Sequence, residues 1–425
     1  MHDAATAATA ATKTGAPPAS RSALTLFALT FFELTLLQSA LGTVLPQLFF
    51  QRAYPDRKVF LLAICLLTGT VASILGVAAS NAVHGRGRWA VLGLGLASAS
   101  FLALFHVQDL VPYIALTAVV RFGLNYLINR FDHASVVRAG AAGRDFNDRL
   151  ANIARLLGHL SAPLFFATFY DAERVIVVVV GCATIAALVS ATRLLAGIPA
   201  ATDETPKEAA PGSRAVPLSL RDRLYFGYAM TVQASMYLFA ANLIYLARDV
   251  LHIPSPERAG SSLIVIVFFS SLVVIAGAPV ARRLLRIARP GEIHRLPLLL
   301  PAATLGLAAL ALGAGFRVGF GGLCAGGVVI GMTYGAFLLE TRDYSSAGAR
   351  NYGRQSLVSL FNNIGNISSL VAFGILSALA AVRATSSASA MFLVLVAVIG
   401  LLPIAGVPFL MLAARPDRGA ASRGA

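Results

Sequence analysis

KVFLLAICLLTGTVASILGVAASNAVHGRGRWAVLGLGLASASFLALFHV, residues 58–107, is two apolar runs parted by a short basic knot, HGRGRW at 84–89. Each run is about as long as a helix needs to cross a ~30 Å hydrocarbon core at ~1.5 Å per residue. The pattern repeats outward in both directions. Apolar spans are read at 22–48, 58–83, 89–107, 110–129, 149–170, 174–195, 223–247, 259–281, 296–314, 318–340, 354–380 and 389–413. With 57% hydrophobic and only 12% charged residues, a water-soluble fold is excluded. The expected fold is all-α and integral to the membrane, with twelve transmembrane helices.

A net charge of +15 could suggest nucleic acid, but the basic residues alternate by loop. With both termini on one side, 24 of the 34 Lys and Arg fall on that side and 8 on the other, leaving Arg121 and Arg155 inside spans. This bias places both termini in the cytoplasm and accounts for the charge without a nucleic-acid partner. An inner-membrane location is expected. The partners implied are the lipid bilayer, a small-molecule substrate and protons. Cys65, Cys182 and Cys324 all lie in apolar spans, where thiols behave as small hydrophobes, so no disulfide framework is implied.

A polar connector at 196–222, carrying Pro199, Pro206, Pro211 and Pro217, separates six spans from six. The expected division is a tail at 1–21, a six-helix bundle at 22–195, a cytoplasmic linker at 196–222, a second bundle at 223–413 and a tail at 414–425. Weak internal similarity relates the halves. DRLANIARLLGHLSAPL at 148–164 lies against QSLVSLFNNIGNISSLV at 355–371, so that Gly158 meets Gly365, and RFDHAS at 130–135 faces TRDYSS at 341–346. Glu33 likewise matches Gln233, and Gly76 matches Gly277. Two pseudo-symmetric bundles are expected.

Of the 19 acidic residues, only Glu33 is placed deep in a span, roughly 16 Å from the cytoplasmic entry. An ionisable group there costs at least ~2.5 kcal/mol on insertion scales, which makes a proton-carrying role the default hypothesis. Arg121 reaches a similar depth from the opposite face and is expected to pair with Glu33. Arg121, Asn125 and Asn129 share one helix face at i, i+4 and i+8. The fifth span carries a second stripe, Asp148, Asn152, Arg155 and His159, matched in the eleventh by Gln355, Ser359, Asn362 and Asn366. These stripes read as walls of one hydrophilic cavity. His159 is a second candidate for proton coupling. Gln38, Gln233, Tyr237, Asn242, Tyr245 and Tyr334 could orient a ligand or simply bind helices together.

These residues resemble the major facilitator superfamily over roughly 22–413. Gly76 with HGRGR at 84–88 is similar to the family's loop between the second and third helices, without its Asp. Arg121 with Asn125 is similar to its fourth-helix basic motif, and Gly158 to Pro163 resembles the fifth-helix motif of its antiporters, with Ala162 and Phe166 in place of glycines. The resemblance implies alternating access by rocking bundles, export, and no covalent chemistry or cofactor. The leading expectation is a proton-coupled exporter of a small organic molecule such as a drug, siderophore or other metabolite. A proton symporter importing a small, possibly anionic nutrient is the alternative. An integral membrane enzyme has only Asp132-His133 to recommend it, since no phosphate-binding loop or H-E-x-x-H occurs.

Overall fold

The computed structural model describes residues 21–41, 45–82, 87–138, 144–169, parts of 175–190, 218–249, 255–277, 299–307, 320–352, 354–382 and 388–414. The described elements are all helical: α1 (Arg21–Ser39), α2 (Leu45–Ala53), α3 (Lys58–Ala82), α4 (Gly87–Ala103), α5 (Leu110–Arg138), α6 (Arg144–Phe169), α7 (Leu220–Asp249), α8 (Pro256–Ala276), α9 (Phe320–Tyr352), α10 (Arg354–Val382) and α11 (Ala388–Ala413). Helical residues also occur within 175–190 and over 299–307. Six helices among the described residues are long and apolar enough to cross a membrane: Pro55–Ser80, Leu110–Arg130, Arg258–Ala276, Phe320–Thr341, Ile364–Ala381 and Leu393–Ala413. They coincide with six of the spans read from the sequence. Those expected at 174–195 and 296–314 lie largely outside the described residues.

The run expected at 22–48 is described in two pieces, α1, which widens into a π turn at Ala40 and Leu41, and the shorter α2; residues 42–44 between them lie outside the described residues. Pro46 sits in the first turn of α2, where its missing N–H would have had no helical partner in any case.

Three other prolines fall inside helices, Pro163, Pro403 and Pro408, and the first two each leave a carbonyl that a serine from elsewhere satisfies. Pro163 in α6 cannot donate to the carbonyl of His159, four residues earlier, and that oxygen instead accepts the Ser39 hydroxyl at 3.2 Å. Pro403 in α11 cannot donate to Ile399, whose carbonyl accepts the Ser235 hydroxyl of α7 at 2.5 Å. In a medium without water an unpaired carbonyl costs several kcal/mol, so these bonds both permit the prolines and join α1 to α6 and α7 to α11.

Packing follows the small residues. At position 158 a Cβ would lie 2.5 Å from the Phe32 carbonyl, so Gly158 lets α6 and α1 meet backbone to backbone. Gly406 gives α11 the same closeness to Thr231 of α7, and Gly331 and Gly335 of α9 lie against the Val267 and Ser271 carbonyls of α8. Ser271 reinforces that pair with a bond to the Gly331 carbonyl at 2.7 Å. Contacts also run between α3 and α10, where the Thr70 and Ser369 hydroxyls are 3.2 Å apart, and between α6 and α8. One buried cluster unites Phe31, Leu34, Leu66, Phe101 and Leu127 with Phe373 and Leu395, and a second gathers Tyr228, Val232, Phe337 and Leu410. Leu75, Leu96, Val111 and Leu307 face outward, as suits helices solvated by lipid.

Ser235→Ala is expected to destabilise the protein by about 1 kcal/mol, read as a lower thermal midpoint in detergent. Adding Pro403→Ala returns the helical donor to Ile399 and is expected to recover the loss.

Candidate functional site

The site is built on a clamp between α3 and α5. Gly69, Ser73, Gly76 and Ser80 recur at i, i+4, i+7 and i+11, which lines small residues along one face of α3. A Cβ at Gly76 would collide with the Phe122 carbonyl, so the two backbones touch there. Asn125 donates to the Ser73 hydroxyl at 2.9 Å and to the Arg121 carbonyl at 3.0 Å, and Asn129 donates to Ser80 at 2.5 Å. Ser73 and Ser80 pass their own protons to the carbonyls of Gly69 and Val77, each at 2.9 Å. The Asn125 and Asn129 amides are thus taken up in holding α5 to α3.

Arg121, on the same face of α5, reaches further. Its side chain runs over Gly69, where an added Cβ would stand 2.6 Å from Cδ and 3.1 Å from Nε. It is 9% exposed, and its Nε has no hydrogen-bond partner among the described residues. The groups in electrostatic reach are the Cys65 thiol and, from α7, the Tyr237 hydroxyl. Tyr237 remains 38% accessible although Gly365 and the Phe373 ring lie beside it. Tyr334 of α9 is in electrostatic reach of Tyr237 and stacks on Phe337 at 5.9 Å. Gln233, one turn before Tyr237, accepts from Ser368 of α10 at 3.5 Å. Arg121, Gln233, Tyr237 and Tyr334 therefore come together from three helices, α5, α7 and α9.

Glu33 is elsewhere. It is 4% exposed, with the Ser190 hydroxyl as its hydrogen-bonding neighbour and Oε2 buried without a partner among the described residues. The expected ion pair between Glu33 and Arg121 is not formed. Equal depth in the membrane does not bring two side chains together when their helices present different faces. Arg155 lies with Cζ 4.6 Å over the Phe31 ring, a cation–π contact between α6 and α1. His159 stacks on Phe268 of α8 at 5.3 Å, between two helices far apart in sequence. Asn242 is buried and bonds back to the Leu238 carbonyl at 2.9 Å, leaving Oδ1 unpartnered among the described residues. Asn366 is half-buried with Nδ2 likewise unpartnered, and Gln38 is half-buried on α1. The side chains of Asp148, Asn152, Asn362 and Tyr245 lie outside the described residues, as do those of Asp132 and His133. No group of three His, Cys, Asp or Glu gathers to hold a metal among the described residues.

No protein-family model matches the chain, and no curated protein matches it in sequence. Solved structures do match its architecture. A variant of the nucleoside transporter NupG superposes with a TM-score of 0.65 at 12% identity, covering 92% of this chain and all of that one (100%). A POT family transporter in complex with a thioalcohol-conjugated peptide gives 0.70 at 11% identity, over 92% and 96% of the two chains. The human organic anion transporter MFSD10 gives 0.60 at 16% identity, over 92% and 100%. This chain has the major facilitator fold. It is a multi-pass membrane protein, and these three structures are all of transporters.

Within the major facilitator fold one buried acid escaped the sequence reading. Glu340 was placed at a helix end, but α9 continues to Tyr352, and Glu340 is 4% exposed inside it. A signal existed: in the alignment of RFDHAS with TRDYSS, Glu340 stands opposite Asn129. Ser39, Ser190 and Ser235 were also passed over, because a lone serine in an apolar run carries no periodic signal, whereas Ser73 and Ser80 do have one in their helical spacing with Gly69 and Gly76.

Gly76→Val must push against the Phe122 carbonyl and is expected to lower the thermal midpoint by the equivalent of about 2 kcal/mol. Gly95→Val, at a position with open space around it, is expected to leave the midpoint unchanged in the same measurement.

Proposed function

We propose that the chain is a secondary active transporter that moves a small organic molecule by alternating access. On this reading twelve spans form two pseudo-symmetric six-helix bundles, 22–195 and 223–413, joined by a cytoplasmic linker, in the inner membrane with both termini in the cytoplasm. Several contacts support the pseudo-symmetry. Gly158 meets α1 at Phe32 and Leu36, while its counterpart Gly365 meets α7 at Gln233 and Tyr237, the equivalent place. The contacts between the proposed bundles, α6 with α8 and α3 with α10, exchange under the same relation.

The observation that carries the reading is a pair of buried ionisable groups, Glu33 and Arg121, standing apart among helices whose shared interior also holds the accessible Tyr237. A fixed structural ion pair would place them in contact; separate sites suit separate tasks. Glu33 serves as the proton carrier, exchanging its proton with whichever face is open and so tying the proton gradient to substrate movement. His159, stacked between α6 and α8, serves as packing at the contact between bundles. The direction read is export, on the likeness of Gly158 to Pro163 to the antiporter motif.

The test compares small molecules inside and outside cells that carry the intact gene, none, Glu33→Gln or His159→Phe. Export predicts compounds retained in cells without the gene, the same retention with Glu33→Gln, and near-normal release with His159→Phe. Compounds left unused in the medium indicate import. No difference between intact and absent gene contradicts transport.

A further inference from the structure

We infer that Arg121 anchors the negatively charged end of the transported compound, and that this compound is an organic monocarboxylate. The inference deepens the proposed transporter reading and rests on it.

A guanidinium keeps its positive charge at any accessible pH, and in the membrane interior it needs a counter-charge or a water-filled cavity. Glu33, the acid expected to supply that charge, bonds with Ser190 instead. Among the described residues, what reaches Arg121 is a thiol, Cys65, and a phenol, Tyr237, neither of which is an anion in its ordinary form. The side chain is held in place from behind. Gly69 leaves room for its stem, and Asn125 is bonded to its backbone carbonyl and to Ser73. Nε, one of the guanidinium's fork of donors, is buried and unused among the described residues. A rigidly seated fork with a free donor, facing a partly accessible tyrosine from another helix, fits an oxyanion brought in from outside.

Charge count narrows the class. One guanidinium offsets one negative charge, which suits a carboxylate better than a phosphate monoester carrying nearly two. Tyr237, in reach of Arg121, and Tyr334, in reach of Tyr237, add aromatic faces and hydroxyl donors beyond the guanidinium, which favours a carboxylate joined to an apolar or aromatic body. Arg155 is turned to Phe31 and plays no part in this subsite.

The full-length protein, purified in detergent, is unfolded thermally with acetate, benzoate, indole-3-acetate and decanoate, each beside its primary amide. At least one carboxylate is expected to raise the midpoint by about 2 °C or more while its amide does not. Arg121→Gln is expected to lose that rise, and Glu33→Gln to keep it. If Arg121→Gln does not purify as a single species, Arg121→Lys replaces it, with a roughly tenfold higher half-saturating concentration expected because an ammonium lacks the planar fork. The inference is overturned if no carboxylate stabilises, if amides stabilise equally, or if the Arg121 variant responds like the intact protein. Should that happen while the cell comparison still shows a neutral or cationic compound moved, the transporter reading stands and only the substrate class falls.

Discussion

Inside a bilayer there is no water to take over a carbonyl whose helical donor is missing, and the packing of this protein is organised around that shortage. Prolines at 163 and 403 each strip one carbonyl of its donor, and Ser39 and Ser235 from neighbouring helices replace it. What begins as a local defect becomes a joint between helices. The same shortage explains why glycines, and not hydrophobic bulk, decide which helices touch. Lipid tails solvate leucine as well as another leucine does, so close approach through Gly76, Gly158, Gly331 and Gly406 supplies the dispersion and polar contacts that lipid cannot.

Against that background the polar residues sort into two kinds. Asn125, Asn129, Ser73, Ser80 and Ser271 spend their donors on one another and on backbone, and they hold helix pairs as units. Glu33, Arg121 and Asn366 keep buried polar atoms in reserve. A buried polar atom left without a partner costs stability without tying helices together, which is the mark of an atom kept for an exchangeable partner. On the proposed reading the partner of Glu33 is a proton and that of Arg121 is the substrate. The two need not touch to be coupled, provided each favours the same arrangement of the bundles.

Much of this was legible in the sequence. Span length follows from the one-dimensional pattern, because bilayer thickness and helical rise fix it. Six spans recur at nearly the expected positions. The widened turn at Ala40 and Leu41 was not foreseen, since an apolar run looks alike whether its helix is regular or not. The pairing of Glu33 with Arg121 failed for another reason. Depth along a helix is a matter of counting, but the direction a side chain faces depends on how each helix is rotated against its neighbours, and the glycine and serine contacts that set this carry little signal on their own. Glu340 was missed as a buried group because the apolar span ends beside it, at Thr341, while α9 runs on to Tyr352 and covers it.

The central claim, that the contact between the proposed bundles opens and closes in each cycle, is tested most directly by tying it shut. The Thr70 and Ser369 hydroxyls, 3.2 Å apart on α3 and α10, mark positions for a disulfide in a protein freed of its three native cysteines. Small-molecule movement is measured in cells carrying Thr70→Cys with Ser369→Cys, under oxidising conditions and again after a reductant. The account predicts that oxidation stops movement and reduction restores it. Undiminished movement through the cross-linked protein would contradict it.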